Sequence, residues 1–84
     1  MNAIRWHLKA LRQLRKLDRQ DNAAVRSAVD KLAEMPNCRG VKALVNHLHG
    51  YRLRVGRYRV LFDWDGGVRI VEIQEVKKRD ENTY

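Results

Sequence analysis

Residues 51–63, YRLRVGRYRVLFD, narrow what this chain can become more than any other stretch. Apolar and aromatic residues alternate with arginines at a period of two, the period of a β-strand with one buried face. Gly56–Arg57 interrupts the alternation. A two-residue loop with glycine first suits a type II′ turn, because that position needs φ > 0 and glycine reaches it without a Cβ clash. Strands over 51–55 and 58–63 then pair with Val55 opposite Tyr58, Leu53 opposite Val60 and Tyr51 opposite Phe62. All six are apolar or aromatic, so this face turns to the core. The other face sets Arg54 beside Arg59 and Arg52 beside Leu61. A slip of one residue would invert both faces, which makes the register strict.

Directly opposed like charges destabilise a strand pair by a few tenths to ~1 kcal/mol. In the expected register Glu72 relieves part of this, though only diagonally. Between Pro36 and Val60 the chain carries Arg39, Lys42, Arg52, Arg54, Arg57 and Arg59 and no acid. Splayed, solvated arginines would tolerate this arrangement; so would a site that awaits an anion, since planar guanidinium groups bind phosphate bidentately. The formal net charge of +8 agrees with a polyanionic partner, either nucleic acid or an acidic protein segment.

The rest of the chain is read around this hairpin. Ile4–Arg5–Trp6 fits a short first strand. From about His7 to Leu17, Leu8, Leu11, Leu14 and Leu17 recur every three residues, one face of a helix. In the next helix Asp21 or Asn22 is the expected cap, Ala24, Val25, Ala28, Val29 and Leu32 form an apolar stripe, and Pro36 ends it near Met35. Residues 39–49 read as a loop and the approach to a strand. VRIVEIQEV, 68–76, reads as a long strand. With Gly66–Gly67 as its turn, Asp65 pairs with Val68, Phe62 with Val71 and Val60 with Ile73; Arg59 then neighbours Gln74, and Leu61 neighbours Glu72. The expected fold is α+β in two layers: two N-terminal antiparallel helices packed on an antiparallel sheet of three to four strands.

With 84 residues the chain is expected to form one domain, 1–84, near the lower limit of a self-sufficient core. Its apolar runs are too short to span a membrane, MNAIRWHLKA lacks the apolar core of a signal peptide, and the single Cys38 has no internal partner. These features point to the cytoplasm and away from membranes.

YRLRVGRYRVLFDW followed by VRIVEIQEVKKRDENTY, with LKALRQLRKLD upstream, resembles the RelE/ParE superfamily of toxins from type II toxin–antitoxin systems. The superfamily has a branch of ribosome-dependent endoribonucleases, the RelE-like toxins that cut mRNA in the A site, and a ParE-like branch that inhibits DNA gyrase without cutting RNA. The RelE-like cleavage set comprises basic residues on the sheet, an arginine after the last strand and a tyrosine near the C-terminus. The matching positions here are Arg52, Arg54, Arg59, Arg79 and Tyr84, which favours the ribonuclease branch. Arginines stand at the first two positions, where well-known members have lysines. The resemblance also implies a cognate antitoxin that wraps the toxin, action on mRNA in the 70S ribosome, contact with operator DNA only through the antitoxin, and no metal or other cofactor.

Metal-free RNA cleavage uses the 2′-OH as nucleophile and needs a base, stabilisation of the phosphorane and an acid for the leaving 5′ oxygen. Arg59, flanked by Arg54, is expected to stabilise the phosphorane, with Arg52 and Arg79 holding the backbone; their pKa values above ~12 make them poor proton donors. Tyr84 is the expected base, or a stacking partner for a nucleobase. Lys9, Arg12, Arg15 and Lys16 form a basic helix face that is either solvated surface or a contact for ribosomal RNA, and Arg57, Lys77 and Lys78 extend the RNA-contacting set. His47 and His49 read as loop histidines rather than catalysts, Asp63 and Asp65 as turn residues, and Trp6 and Trp64 as packing residues.

Overall fold

A computed structural model describes residues 1–78. The elements in chain order are β1 (Ala3–Trp6), α1 (Leu8–Arg15), α2 (Arg19–Asp30) continued by a 3-10 turn (Lys31–Glu34), β2 (Val41–Ala43), β3 (Tyr51–Val55), β4 (Tyr58–Asp65) and β5 (Ile70–Lys78). The five strands form one mixed sheet in the order β1-β5-β4-β3-β2. The α+β expectation holds, with two corrections. There are five strands rather than three or four, because Ala3–Trp6 adds to the far edge parallel to β5, and Val41–Ala43 extends the other edge. The first strand expected at Ile4–Trp6 is present ahead of the helices, and because it runs parallel to β5 the sheet is mixed rather than antiparallel.

Helix boundaries also move. Asp18, not Asp21 or Asn22, caps α2: its carboxylate accepts from the Asp21 N–H at 2.8 Å, filling one of the orphan donors of the first turn. Asn22 instead turns back and donates to the Leu14 carbonyl at the end of α1, at 3.0 Å. In α1 the leucine stripe is only partly core. Leu14 is buried, while Leu8 stays exposed and Ala10 takes the buried position.

One face of the sheet carries the core. Leu53, Val60, Phe62, Val71, Ile73 and Val76 meet Ala10 and Leu14 from α1 and Val25, Val29 and Leu32 from α2. Tyr51 stacks on Phe62 across strands at 5.5 Å between ring centroids, and Trp64 meets Tyr51 edge-on at 6.1 Å. Trp6 and Trp64 pack against the core, as their sequence setting implied.

The β3–β4 register is the expected one at every rung, from Tyr51–Phe62 to Val55–Tyr58. Gly56 has φ 54°, and Arg57 is not among the residues with positive φ, which is the type II′ pattern. The β4–β5 register differs. The connection is four residues, 66–69, so Asp65 faces Ile70, Trp64 faces Val71 and Phe62 faces Ile73. The Asp65 carboxylate accepts from the N–H groups of Gly67 (2.8 Å) and Val68 (3.3 Å), a side-chain turn that leaves Val68 63% exposed in the loop instead of paired in a strand. Over Phe62–Asp65 the shift is by two residues, so the face of each side chain there is preserved.

A β-bulge then follows. Leu61 pairs with Glu75, leaving Gln74 as the extra residue opposite the Leu61/Phe62 step. The bulge lets Ile73 and Val76, three residues apart, both face the core. Beyond Ile73, β1 has ended, and α1 supplies the missing partner: the Gln13 side-chain oxygen accepts from Val76 N–H at 2.7 Å.

Asn2 closes the structure. It is 7% exposed, and its amide donates to the carbonyls of Ala33 (3.0 Å) and Met35 (3.1 Å) while its oxygen accepts from the Trp64 indole N–H (3.1 Å). One side chain thus satisfies carbonyls left bare where the 3-10 turn ends and fastens them to β4. Asn2→Ala is expected to lower unfolding free energy by about 2 kcal/mol, since it leaves buried polar groups unpaired; chemical denaturation read by tryptophan fluorescence checks this.

Candidate nucleic-acid interface

Opposite the core, the sheet presents its cations in rungs. Arg54, Arg59 and Lys77 lie side by side across β3, β4 and β5. The rung below runs Lys42, Arg52, Leu61 and Glu75 across four strands. Arg59 therefore neighbours Lys77 rather than Gln74, and Leu61 neighbours Glu75 rather than Glu72, because of the four-residue turn and the bulge. The first change adds charge: a third cation joins the Arg54–Arg59 pair. In an antiparallel hairpin with a two-residue loop, the Arg54–Arg59 rung is a non-hydrogen-bonded one, where side chains stand closest. The Arg54 N–H accordingly points the other way and donates to Gly40 O at 3.0 Å.

The acids on this face have identifiable partners. Glu72 sits 3.8 Å from both Arg5 and His7. Glu75 accepts from Lys9 at 2.9 Å and lies 3.9 Å from Lys77. Among the described residues, no carboxylate forms an ion pair with Arg52 or Arg54. Arg54 is exposed, and Arg52 and Arg59 are half-buried.

Loop 44–50 is fastened over the adjoining part of the same face. His49, with only 11% of its side chain exposed, has Nδ1 3.3 Å from Asp63 Oδ2 and Nε2 3.5 Å from Glu75 Oε2. Asp63 also accepts from Gly50 N–H (2.8 Å) and Gln74 Nε2 (3.1 Å). Leu61 lies between these two carboxylates in the sheet, which explains why it is 5% exposed despite facing outward. His49 is thus a structural clasp. Asp63 is not a turn residue, as sequence suggested, but the loop's anchor; Asp65 does have the turn role. His47 is exposed, and its Nδ1 accepts from His49 N–H at 3.0 Å. Nothing in HLHG reveals the clasp, because its second partner comes into place only through the β5 bulge.

The remaining expected site residues scatter. Arg12, Arg15 and Lys16 are exposed on α1 or its end, Lys9 is tied to Glu75, and Arg57 is exposed in the hairpin turn. Lys78 pairs with Tyr58 and so falls on the opposite face from Lys77. Arg79 and Tyr84 lie outside the described residues. Among the described residues, no group of histidine, cysteine or carboxylate side chains is arranged to hold a metal ion, and no helix is long and apolar enough to cross a membrane.

Two titratable groups register these contacts. The Lys9 hydrogen bond, helped by Lys77 and His49, holds the Glu75 carboxyl below its ordinary range against the opposing effect of burial. The Tyr58 hydroxyl donates to Asp21 Oδ2 at 2.8 Å, which raises its pKa and ties the hairpin tip to α2.

The protein is a small helical layer on a mixed sheet, with a row of cations on the face opposite the core. The family model described as "ParE toxin of type II toxin-antitoxin system, parDE" matches residues 4–83, and the chain belongs to this family, within the RelE/ParE superfamily of toxins. Its structure is similar to a chain of the toxin–antitoxin complex RelBE2 from Mycobacterium tuberculosis, at 32% identity and TM-score 0.81 over 93% of this chain and 98% of that one. It is also similar in fold to the archaeal RelE–RelB complex from Pyrococcus horikoshii OT3 (22% identity, TM-score 0.81, 95% and 97% covered) and to the isolated E. coli RelE toxin (17%, 0.79, 96% and 87%). No curated protein matches the chain.

Because the Glu75 pKa is depressed on folding, its stabilisation is fully present above the ordinary value of 4.5 and is lost as pH falls through the lower folded-state value. Glu75→Gln is expected to remove about 1–2 kcal/mol at pH 7 and to flatten the acid limb of the stability profile. Urea unfolding at a series of pH values measures both.

Proposed function

We propose that this toxin is a ribosome-dependent endoribonuclease of the RelE kind, acting on mRNA in the A site of the 70S ribosome. The observation that carries the reading is the Arg54–Arg59–Lys77 rung, which aligns three cations side by side on adjacent strands. The structural likeness to RelE toxins supports it. Of the residues matching the RelE-like set, Arg52, Arg54 and Arg59 share one face of the sheet; Arg79 and Tyr84 follow β5 in sequence.

In this reading the 2′ oxygen of the upstream nucleotide attacks phosphorus. The O2′–P bond forms, the P–O5′ bond breaks, and the products are a 2′,3′-cyclic phosphate and a free 5′-OH. Arg54 and Arg59 bind the non-bridging oxygens more strongly as charge builds on the phosphorane, which is where electrostatic catalysis acts. Arg52 and Arg79 hold the neighbouring backbone. Tyr84 takes the 2′-OH proton or stacks on a base, and a proton must reach O5′ as it leaves; guanidinium is too weak an acid to be the natural donor. A cognate antitoxin, as in the RelB complexes of the structural relatives, restrains the toxin, and action on the ribosome would place it in the cytoplasm.

Arg54→Ala and Arg59→Ala are each expected to reduce A-site cleavage by about 10²–10³-fold, the usual loss for one charge-stabilising donor, with folding intact. Toeprinting of a translating mRNA with purified variants reads this directly; undiminished cleavage by Arg59→Ala excludes the mechanism. The matching family description, a ParE toxin, favours a second reading in which the basic face docks on DNA gyrase and no RNA is cut. Gyrase inhibition in a supercoiling assay, with mRNA left intact, would select it.

A further inference from the structure

The cleavage chemistry leaves one proton without a donor, the one that O5′ takes as the P–O5′ bond breaks. Guanidinium groups, with pKa values above ~12, give up a proton too reluctantly for this. A lysine ammonium, near ~10.4 in its ordinary state, is the stronger acid and carries three rotatable N–H donors. The cation rung holds one lysine. Lys77 on β5 pairs with Arg59 on β4, and paired residues share a face of the sheet. The β5 bulge places it there, and it is not one of the positions matched to the RelE-like cleavage set.

The geometry suits a division of labour on one phosphate. Neighbouring strands lie about 4.8 Å apart, so side chains from β4 and β5 reach different oxygens of the same group. The Lys77 side chain is 54% exposed and so open to a ligand. Its ammonium lies 3.9 Å from Glu75 Oε1, beyond hydrogen-bond reach, and that oxygen already accepts from Lys9 at 2.9 Å. The nearer alternatives are placed elsewhere. Lys42 stands on edge strand β2, with β3 between it and Arg59. Lys78 is on the opposite face. His49 is closed between Asp63 and Glu75, and His47 belongs to the loop anchored at Asp63, four residues or about 13 Å along β4 from Arg59. Glu75 itself, held below its ordinary range, has no proton to give at neutral pH.

We propose that Lys77 is the general acid of the cleavage, donating a proton from Nζ to O5′ as the P–O5′ bond breaks. The proposal rests on the ribonuclease reading above. The 2′ oxygen loses its proton to the base and bonds to phosphorus. The P–O5′ electron pair passes to O5′, which takes the Lys77 proton and leaves as the 5′-OH. The neutral amine then regains a proton from water. Arg59 serves the non-bridging oxygens throughout, so adjacent side chains of one rung divide charge stabilisation from proton transfer.

The test separates acidity from charge. Purified toxin is mixed with ribosomes carrying a synthetic mRNA in the A site, and single-turnover cleavage is timed on two substrates. One is ordinary RNA; the other carries sulfur in place of the bridging O5′ at the bond the wild type cuts. A thiol has a pKa near ~8.5, against ~15.7 for water, so a thiolate leaves without a proton. We expect Lys77→Ala and Lys77→Arg each to slow cleavage of ordinary mRNA by about 10²-fold or more, the usual contribution of a positioned acid, and the sulfur substrate to restore both to within about threefold of wild type. The arginine variant keeps the charge and loses only the usable proton. Arg54→Ala is expected to remain slow on both substrates, since the phosphorane carries its charge in either case.

If Lys77→Arg cuts ordinary mRNA at the wild-type rate, Lys77 contributes charge alone and the assignment is overturned. An equal loss on both substrates overturns it too, because it marks a role in binding or folding. Cleavage by the wild type with either of these results leaves the ribonuclease reading standing without Lys77. A wild type that cuts neither substrate removes that reading and the role of Lys77 together.

Discussion

The backbone of Gly56, held at φ 54°, is the constraint on which the outer face depends. A two-residue turn of this kind matches the twist of its flanking strands and permits one register only. That register sends Leu53, Val60, Tyr51 and Phe62 to the helices and forces Arg54 against Arg59 on the other side. Burial of Val60 and Phe62, both 0% exposed, then outweighs the repulsion: each fully buried side chain contributes about 1.5–3 kcal/mol, against at most ~1 kcal/mol for the opposed charges. The core holds the arginines together.

The β5 bulge has a comparable influence one strand further on. Without an extra residue, strict alternation past Ile73 would turn Glu75 into the core and Val76 out of it. With Gln74 inserted, Glu75 stays on the outer face where Lys9, Lys77 and His49 reach it, and Val76 packs inward. The same displacement brings Lys77 beside Arg59. A device required by the core therefore shapes the charge pattern outside, in keeping with the frequency of bulges near functional surfaces.

Side-chain amides and carboxylates finish what the short strands leave undone. Asn2 serves carbonyls at the end of the 3-10 turn, Gln13 serves the β5 backbone where β1 stops, and Asp63 serves the loop at Gly50. In so small a domain these long-range bonds take the place of additional regular structure.

Much of this was legible in the residues. Alternation around Gly56–Arg57 determined the β3–β4 pairing, its two faces and the Arg54–Arg59 contact, because a hairpin register depends only on local turn geometry and the burial of one face. The β4–β5 register was not read correctly, although the apolar positions Val71, Ile73 and Val76 already break phase at the bulge. The parallel docking of β1, the Asn2 clasp and the His49 bridge had no comparable local signal. Each joins residues far apart in sequence, and only the assembled core sets the positions from which those side chains can meet. The sequence by itself determined that arginines would be crowded on one sheet face; tertiary structure alone decided what stands around them, since pairings between distant segments follow from packing that no local pattern encodes.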